Sequence, residues 1–187
     1  MMRFRRDDAL LVVDIQRDFC SGGSLAIAGA DEIILTIDRL IGEATAAGAT
    51  IVAGRDWHPA NHVSFEARGG PWPAHCVAGT KGAELHPDLH LPLGTPLVSK
   101  GMDRDKDPYS AFEETGLIEQ LRREGTRRIV ICGLALDFCV RASALDAAQA
   151  GFEAHVALDA TRPVTQAAGE AALAEMAKAG VILDAIA

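Results

Sequence analysis

Three observations predict a doubly wound α/β domain, with a mainly parallel six-stranded sheet and helices on both faces. Short β-branched, apolar runs alternate with stretches of helical periodicity along the whole chain. Several of these runs are apolar at consecutive positions, the mark of strands buried on both faces. Most connections are short, which favours right-handed crossovers into one parallel sheet. One domain spanning residues 1–187 accounts for the length, with a loop insertion at about 55–96.

The first strand is the run Ala9 to Val13, ending at Asp14. A glycine- and serine-bearing loop, Cys20 to Gly29, leads to Asp31, an N-cap candidate. The helix it would start carries Ile33, Ile34, Ile37, Leu40 and Ile41 on one face and stops near Gly48. Thr50 to Gly54 is the second strand, and Leu97 to Lys100 the third. Between them, Arg55 to Pro96 has little periodicity yet holds both tryptophans and most of the histidines. Long irregular loops inside compact domains are usually functional. After a charged loop, Met102 to Ser110, comes a short helix, Leu117 to Glu124. Ile129 to Ile131 is a fourth strand, followed by a tight turn at Gly133 and a helix running to Gly151. Glu153 to Leu158, a helix over Thr165 to Ala179, and a strand over Gly180 to Leu183 complete the set.

Composition narrows the function. The chain is 49% hydrophobic with a formal charge of −8, and its arginine clusters (Arg3 to Arg6, Arg122 to Arg128) read as solvated approaches to strands. Nucleic acid is therefore not an expected partner. No apolar run is long enough to span a bilayer, and the first eight residues lack the apolar core of a signal peptide. Cys20, Cys76, Cys132 and Cys139 form no C-x-x-C motif and force no disulfide framework. The expectation is a cytoplasmic protein with reduced thiols; a homo-oligomer is compatible with it. No G-x-G-x-x-G or P-loop follows a strand, which argues against nucleotide binding.

Two groups of residues carry chemistry. Asp14 and Lys100 end two strands, and Cys139 falls near the start of a helix after a third. Open α/β sheets bind ligands at that edge. Singly, each has an ordinary explanation: an Asx turn, a solvated lysine, a small buried cysteine. Together they make a nucleophile, a carboxylate to take its proton and an ammonium to hold the carboxylate. The helix N-terminus favours a thiolate at Cys139, although little thiolate exists at neutral pH without such help. Backbone N–H groups of Ala135 and Cys139 could form an oxyanion hole. In the second group, Asp56 and His58 are two apart in extended chain and point to one side, with His62 and His75 further along. Three O/N ligands with open positions is a catalytic metal pattern. Each histidine alone is also satisfied by backbone or water, and His86, His90 and His155 are read that way.

The segments Asp14-x-Gln16-x-Asp18-Phe19, Asp56-Trp57-His58-Pro59, Trp72-Pro73-x-His75-Cys76, Lys100-Gly101 and Gly133-Leu134-Ala135-x-Asp137-x-Cys139-Val140 occur in this order. The chain closely resembles the nicotinamidase/pyrazinamidase branch of the isochorismatase-like cysteine hydrolases. The resemblance implies that fold, a catalytic triad of Asp14, Lys100 and Cys139, and one divalent ion on Asp56, His58 and His75. Zinc is the first expectation for the ion, iron or manganese the alternatives. It also implies hydrolysis of nicotinamide, and of its near isostere pyrazinamide, to the acid and ammonia through a cysteine thioester. Phe19, Leu25, Trp72, Tyr109 and Leu134 match substrate-pocket positions, the Leu134–Ala135 bond matches a cis peptide, and His62 and Ser64 are candidates to assist at the metal. Leu136 and Phe138 stand where the family often has a small polar residue and Tyr or His, which bears on amide preference. The rivals are a cysteine amidohydrolase acting on a carbamoyl or ureido compound, which has no use for the metal set, and a non-catalytic metal or thiol protein, which has no use for Asp14.

Overall fold

The computed structural model describes residues 3–185; the first two and last two residues of the expected 1–187 unit lie outside them. Among the described residues, six strands form one all-parallel sheet in the order β3-β2-β1-β4-β5-β6. They are β1 (Asp8–Val13), β2 (Thr50–Asp56), β3 (Leu97–Lys100), β4 (Arg128–Leu134), β5 (Glu153–Arg162) and β6 (Ile182–Asp184). The helices are α1 (Ile34–Ala47), α2 (Leu117–Arg123), α3 (Arg141–Gln149) and α4 (Gln166–Lys178).

Alternation along the strands divides the core. Leu10, Val12, Val130 and Cys132 pack against Ile34, Ile37, Leu40, Ile41 and Ala44 of α1. Ala9, Leu11, Val13, Ile129 and Ile131 face the other way, onto Leu117 and Leu121 of α2, Ala144 and Ala147 of α3, and Ala172 and Met176 of α4. Both faces of the sheet are thus covered, which is why β1 and β4 are apolar at nearly every position. The chain winds outward from β1 to β3, then returns to β4 beside β1 and winds the other way. That reversal opens a crevice at the carboxyl ends of β1 and β4.

Several local expectations change. Asp31 does not cap α1: a 3-10 turn, Asp31–Ile33, leads into the helix without a side-chain cap. Its carboxylate instead accepts hydrogen bonds from the Ser21 N–H (3.0 Å) and hydroxyl (2.5 Å). Gly48 does end α1, in the left-handed conformation at φ 70°. Gly133 is not a turn; β4 runs through it to Leu134 with a register shift against β5. Its φ of +111° and the Val13 carbonyl oxygen, 2.0 Å from where a Cβ would stand, explain the glycine. Thr165 stands before α4 as its N-cap, its hydroxyl oxygen accepting from the Ala168 N–H at 3.2 Å. The connection from β2 to β3 contains two short 3-10 turns and no α-helix. All four cysteines are buried free thiols. No helix among the described residues is long and apolar enough to cross a membrane.

Candidate active site

Asp14 leaves β1 with φ 49°, its N–H donating to the Gly54 carbonyl at 3.1 Å, and its side chain is fully buried. Asp56 and Lys100 are register partners at the ends of β2 and β3. Lys100 Nζ donates to Asp56 Oδ1 at 2.5 Å and to Cys139 Sγ at 3.3 Å, and lies 2.9 Å from Asp14 Oδ2. The Asp14 contact is an ion pair without hydrogen-bond alignment, so neither carboxylate oxygen has a well-directed donor. Asp14, Asp56 and Cys139 each present a ligand-type atom within 4.8 Å of the others. Cys139 sits in a π-helical turn, Leu136–Val140, between β4 and α3, rather than in the first turn of an α-helix.

Burial sets the direction at Asp14 and Cys139, and neighbouring charges set it at Lys100 and Asp56. Burial raises the Asp14 carboxyl to about 6, against the opposing pull of Lys100. Burial also pushes the Cys139 thiol well above its ordinary value; Lys100 pulls it back, while Asp14 and Asp56 push it further. The pocket thus holds a protonated thiol beside a carboxylate, not the standing thiolate that a helix dipole alone would favour. Lys100 stays charged, because its acidic neighbours outweigh the burial that would lower it. For Asp56, burial would raise the carboxyl, but Lys100 and His58 hold it below the carboxylate range.

Asp56, His58 and His75 also converge, all buried, with one ligand atom each within 4.8 Å of the others. His58 Nδ1 donates to the Gly101 carbonyl at 2.9 Å and His75 Nδ1 to the Pro73 carbonyl at 2.8 Å. Both protons are therefore on Nδ1, leaving the Nε2 lone pairs for a cation, the usual outer support of a metal site. Asp56 Oδ2 lies 3.6 Å from His58 Nε2, while Oδ1 is held by Lys100. One carboxylate thus faces both groups of residues. A carboxylate, two oriented imidazoles and open positions fit a catalytic divalent ion.

His62 and Ser64 do not join that set. Ser64 Oγ donates to His62 Nδ1 and His62 Nε2 donates to the Lys106 carbonyl, each at 2.7 Å. With both nitrogens satisfied, His62 stacks behind His58 at 4.0 Å between ring centroids.

Beside these groups lies a mainly apolar pocket lined by Phe19, Leu25, Trp72 and Tyr109, together with Asp56, His75, Ala135 and Cys139. Leu134, expected in the wall, is not there: it is fully buried in the α1-side core with Leu10 and Ile15. The peptide bond after it is cis. Ile27, Phe138 and Val164 complete the wall. Phe138 packs edge-on against Trp72 at 5.1 Å and tilted against Tyr109 at 5.4 Å. Ile27 and Val164 carry no sequence signal, being apolar residues in loops. Gln16 does more than the motif alone suggests: its Nε2 donates to the Asp56 carbonyl (2.8 Å) and the Ala83 carbonyl (2.9 Å), and its Oε1 accepts from the Asp56 N–H (2.7 Å). Asp18 Oδ2 similarly accepts from the Cys76 N–H at 2.8 Å, next to His75.

The nicotinamidase of Acinetobacter baylyi is 42% identical over 185 residues, covering 87% of this chain and 85% of that protein. The pyrazinamidase of Pyrococcus horikoshii, solved in complex with zinc, matches with a TM-score of 0.92 and 46% identity, over 95% of this chain and 98% of that one. PnC1 from L. infantum, solved in complex with nicotinate, matches with a TM-score of 0.90 and 39% identity, over 98% and 95%. The isochorismatase domain matches residues 8–186, and with that span of sequence added to the parallel sheet and its crevice, the chain belongs to the isochorismatase family.

Proposed function

We propose that this enzyme is a metal-dependent nicotinamidase and pyrazinamidase, cleaving the carboxamide to a carboxylate and ammonia. The observation that carries the proposal is Asp56, which presents one oxygen to the Lys100, Asp14 and Cys139 group and the other to His58. A site for covalent amide chemistry and a site for a cation thereby share one pocket. The identity of the relatives supports the substrate class.

Each step has a residue. Asp14 takes the Cys139 thiol proton as sulfur bonds to the carboxamide carbon, and the carbonyl π electrons move to oxygen. The N–H groups of Ala135 and Cys139 stabilise that oxyanion. Asp14 passes its proton to the nitrogen as the C–N bond breaks and ammonia leaves. A water then loses a proton to Asp14 and attacks the thioester; the C–S bond breaks and the sulfur recovers the proton. Lys100 holds Asp14 in reach throughout. A divalent ion, zinc by its ligand set, would be held by Asp56, His58 and His75 and supplies a positive charge and a coordination position for the ring nitrogen. Phe19, Trp72, Tyr109 and Phe138 enclose the ring and exclude water.

Ammonia release from nicotinamide and from pyrazinamide tests the reading, on wild type, Cys139→Ala and Asp14→Asn. Turnover in wild type with loss in both variants is expected. Full turnover in Cys139→Ala removes the covalent route, and turnover of a ureido compound but neither pyridine nor pyrazine amide removes the substrate assignment.

A further inference from the structure

A second set of metal-ligating side chains lies outside the pocket chemistry. Cys20 Sγ, a carboxylate oxygen of Asp31 and a ring nitrogen of His86 all lie within 4.8 Å of one another. They share no residue with the Asp56, His58 and His75 group. Cys20 opens the loop that precedes α1, Asp31 closes it, and His86 comes from the long β2–β3 connection, where its N–H donates to the Ile15 carbonyl at 2.8 Å.

The details favour a cation over chance proximity. Cys20 is 1% exposed, and its thiol makes no hydrogen bond among the described residues. Asp31 gives Oδ2 to Ser21 and turns Oδ1 toward His86 Nε2 at 3.5 Å, so one oxygen is already fixed and the other faces the cluster. Burial, and then the Asp31 charge, push the bare Cys20 thiol up to about 12.

We propose that Cys20, Asp31 and His86 bind a second divalent cation, of the zinc class, with water in the fourth position. Thiolate, imidazole and carboxylate together suit zinc. Ligands about 2.0–2.3 Å from a common ion stand roughly 3.3–3.8 Å apart, so the cluster closes by about 1 Å through side-chain rotation. Binding displaces the Cys20 thiol proton to solvent. It also takes the His86 Nε2 lone pair, which moves the ring proton to Nδ1 and gives up the long 3.3 Å contact from the Asp88 N–H. The ion would tie together the two ends of the loop that carries Leu25 and Ile27, both in the cavity wall. It is a brace for that wall, independent of the chemistry at Cys139.

The test is metal content and spectrum of the full chain. Protein stripped with a chelator is dialysed against Zn²⁺, and bound zinc is measured by elemental analysis. Two equivalents are expected for wild type and one each for Cys20→Ser, His86→Ala and His58→Ala. Circular dichroism checks each fold, and His86→Ala decides if the buried Cys20→Ser fails to fold. Co²⁺ loading of Cys139→Ala, which removes the sulfur that lies beside Asp56, should show a thiolate-to-cobalt charge-transfer band that the added Cys20→Ser change abolishes. A zinc content that His86→Ala leaves at the wild-type value, or cobalt loading without that band, overturns the site.

Discussion

Replacing Gly101 with alanine should cripple the metal site from outside it. Gly101 has φ +66°, and a Cβ there would lie 2.3 Å from His58 Cε1 and 2.4 Å from Nδ1. Two carbons rest at about 3.5–4.0 Å, so the imidazole must retreat by roughly 1 Å. Coordination distances tolerate only about 0.2 Å. The same change strains the backbone by about 1–2 kcal/mol, since the left-handed region suits glycine, and pulls on the Gly101 carbonyl that fixes the His58 tautomer. Disturbing such an outer contact typically costs about 10–100-fold in metal affinity. The expected result for Gly101→Ala is therefore zinc affinity weaker by at least about tenfold, measured by competition with a chromophoric chelator. Ammonia release should fall at limiting zinc and recover in part at saturating zinc. Affinity and activity within about twofold of wild type, in a folded variant, would refute the claim that Gly101 holds His58 in place.

Three other outcomes follow from contacts described above. Gln16→Ala removes hydrogen bonds to the backbone of Asp56 and Ala83; denaturant unfolding should show a loss of about 2–3 kcal/mol from the buried groups left unpaired, with weaker zinc binding. Thr165→Ala removes the α4 cap and should cost about 1 kcal/mol with kcat/KM unchanged. Chelation should suppress ammonia release and added divalent metal restore it, whereas in Cys139→Ala added metal should restore nothing.

Much of this was legible in the sequence. Asp14 and Lys100 end strand-forming runs, so their place on one sheet edge follows from the strand pattern and needs only the β3–β2–β1–β4 order to bring them to Cys139. Asp56 and His58 are readable because the chain remains extended beyond the apolar run, with β2 reaching Asp56. Positions governed by backbone detail were not readable. Gly133 resembles a turn residue by type, but serves a strand with no space for a side chain. Leu134 follows the register shift at Gly133 and turns into the core. His62 cannot be separated from His58 by spacing; the carbonyl of Lys106, distant in sequence, decides where its Nε2 goes. Ile27 and Val164 reach the cavity from irregular segments that lack any periodicity to exploit.

The helix-free crossover between β2 and β3 carries a last consequence. A crossover helix satisfies its own backbone, whereas this one is pinned by side chains reaching in from elsewhere, among them Gln16 to Ala83 and Asp18 to Cys76. Its own backbone bonds are local turns and isolated bridges, such as His58 with Val77 and Phe65 with Trp72, rather than a continuous ladder, so its amides should exchange with solvent before those of β1 or β4. Since His58 and His75 ride on it, a bound ion would slow that exchange, and amide protection across residues 57–96 becomes a gauge of occupancy that requires no substrate.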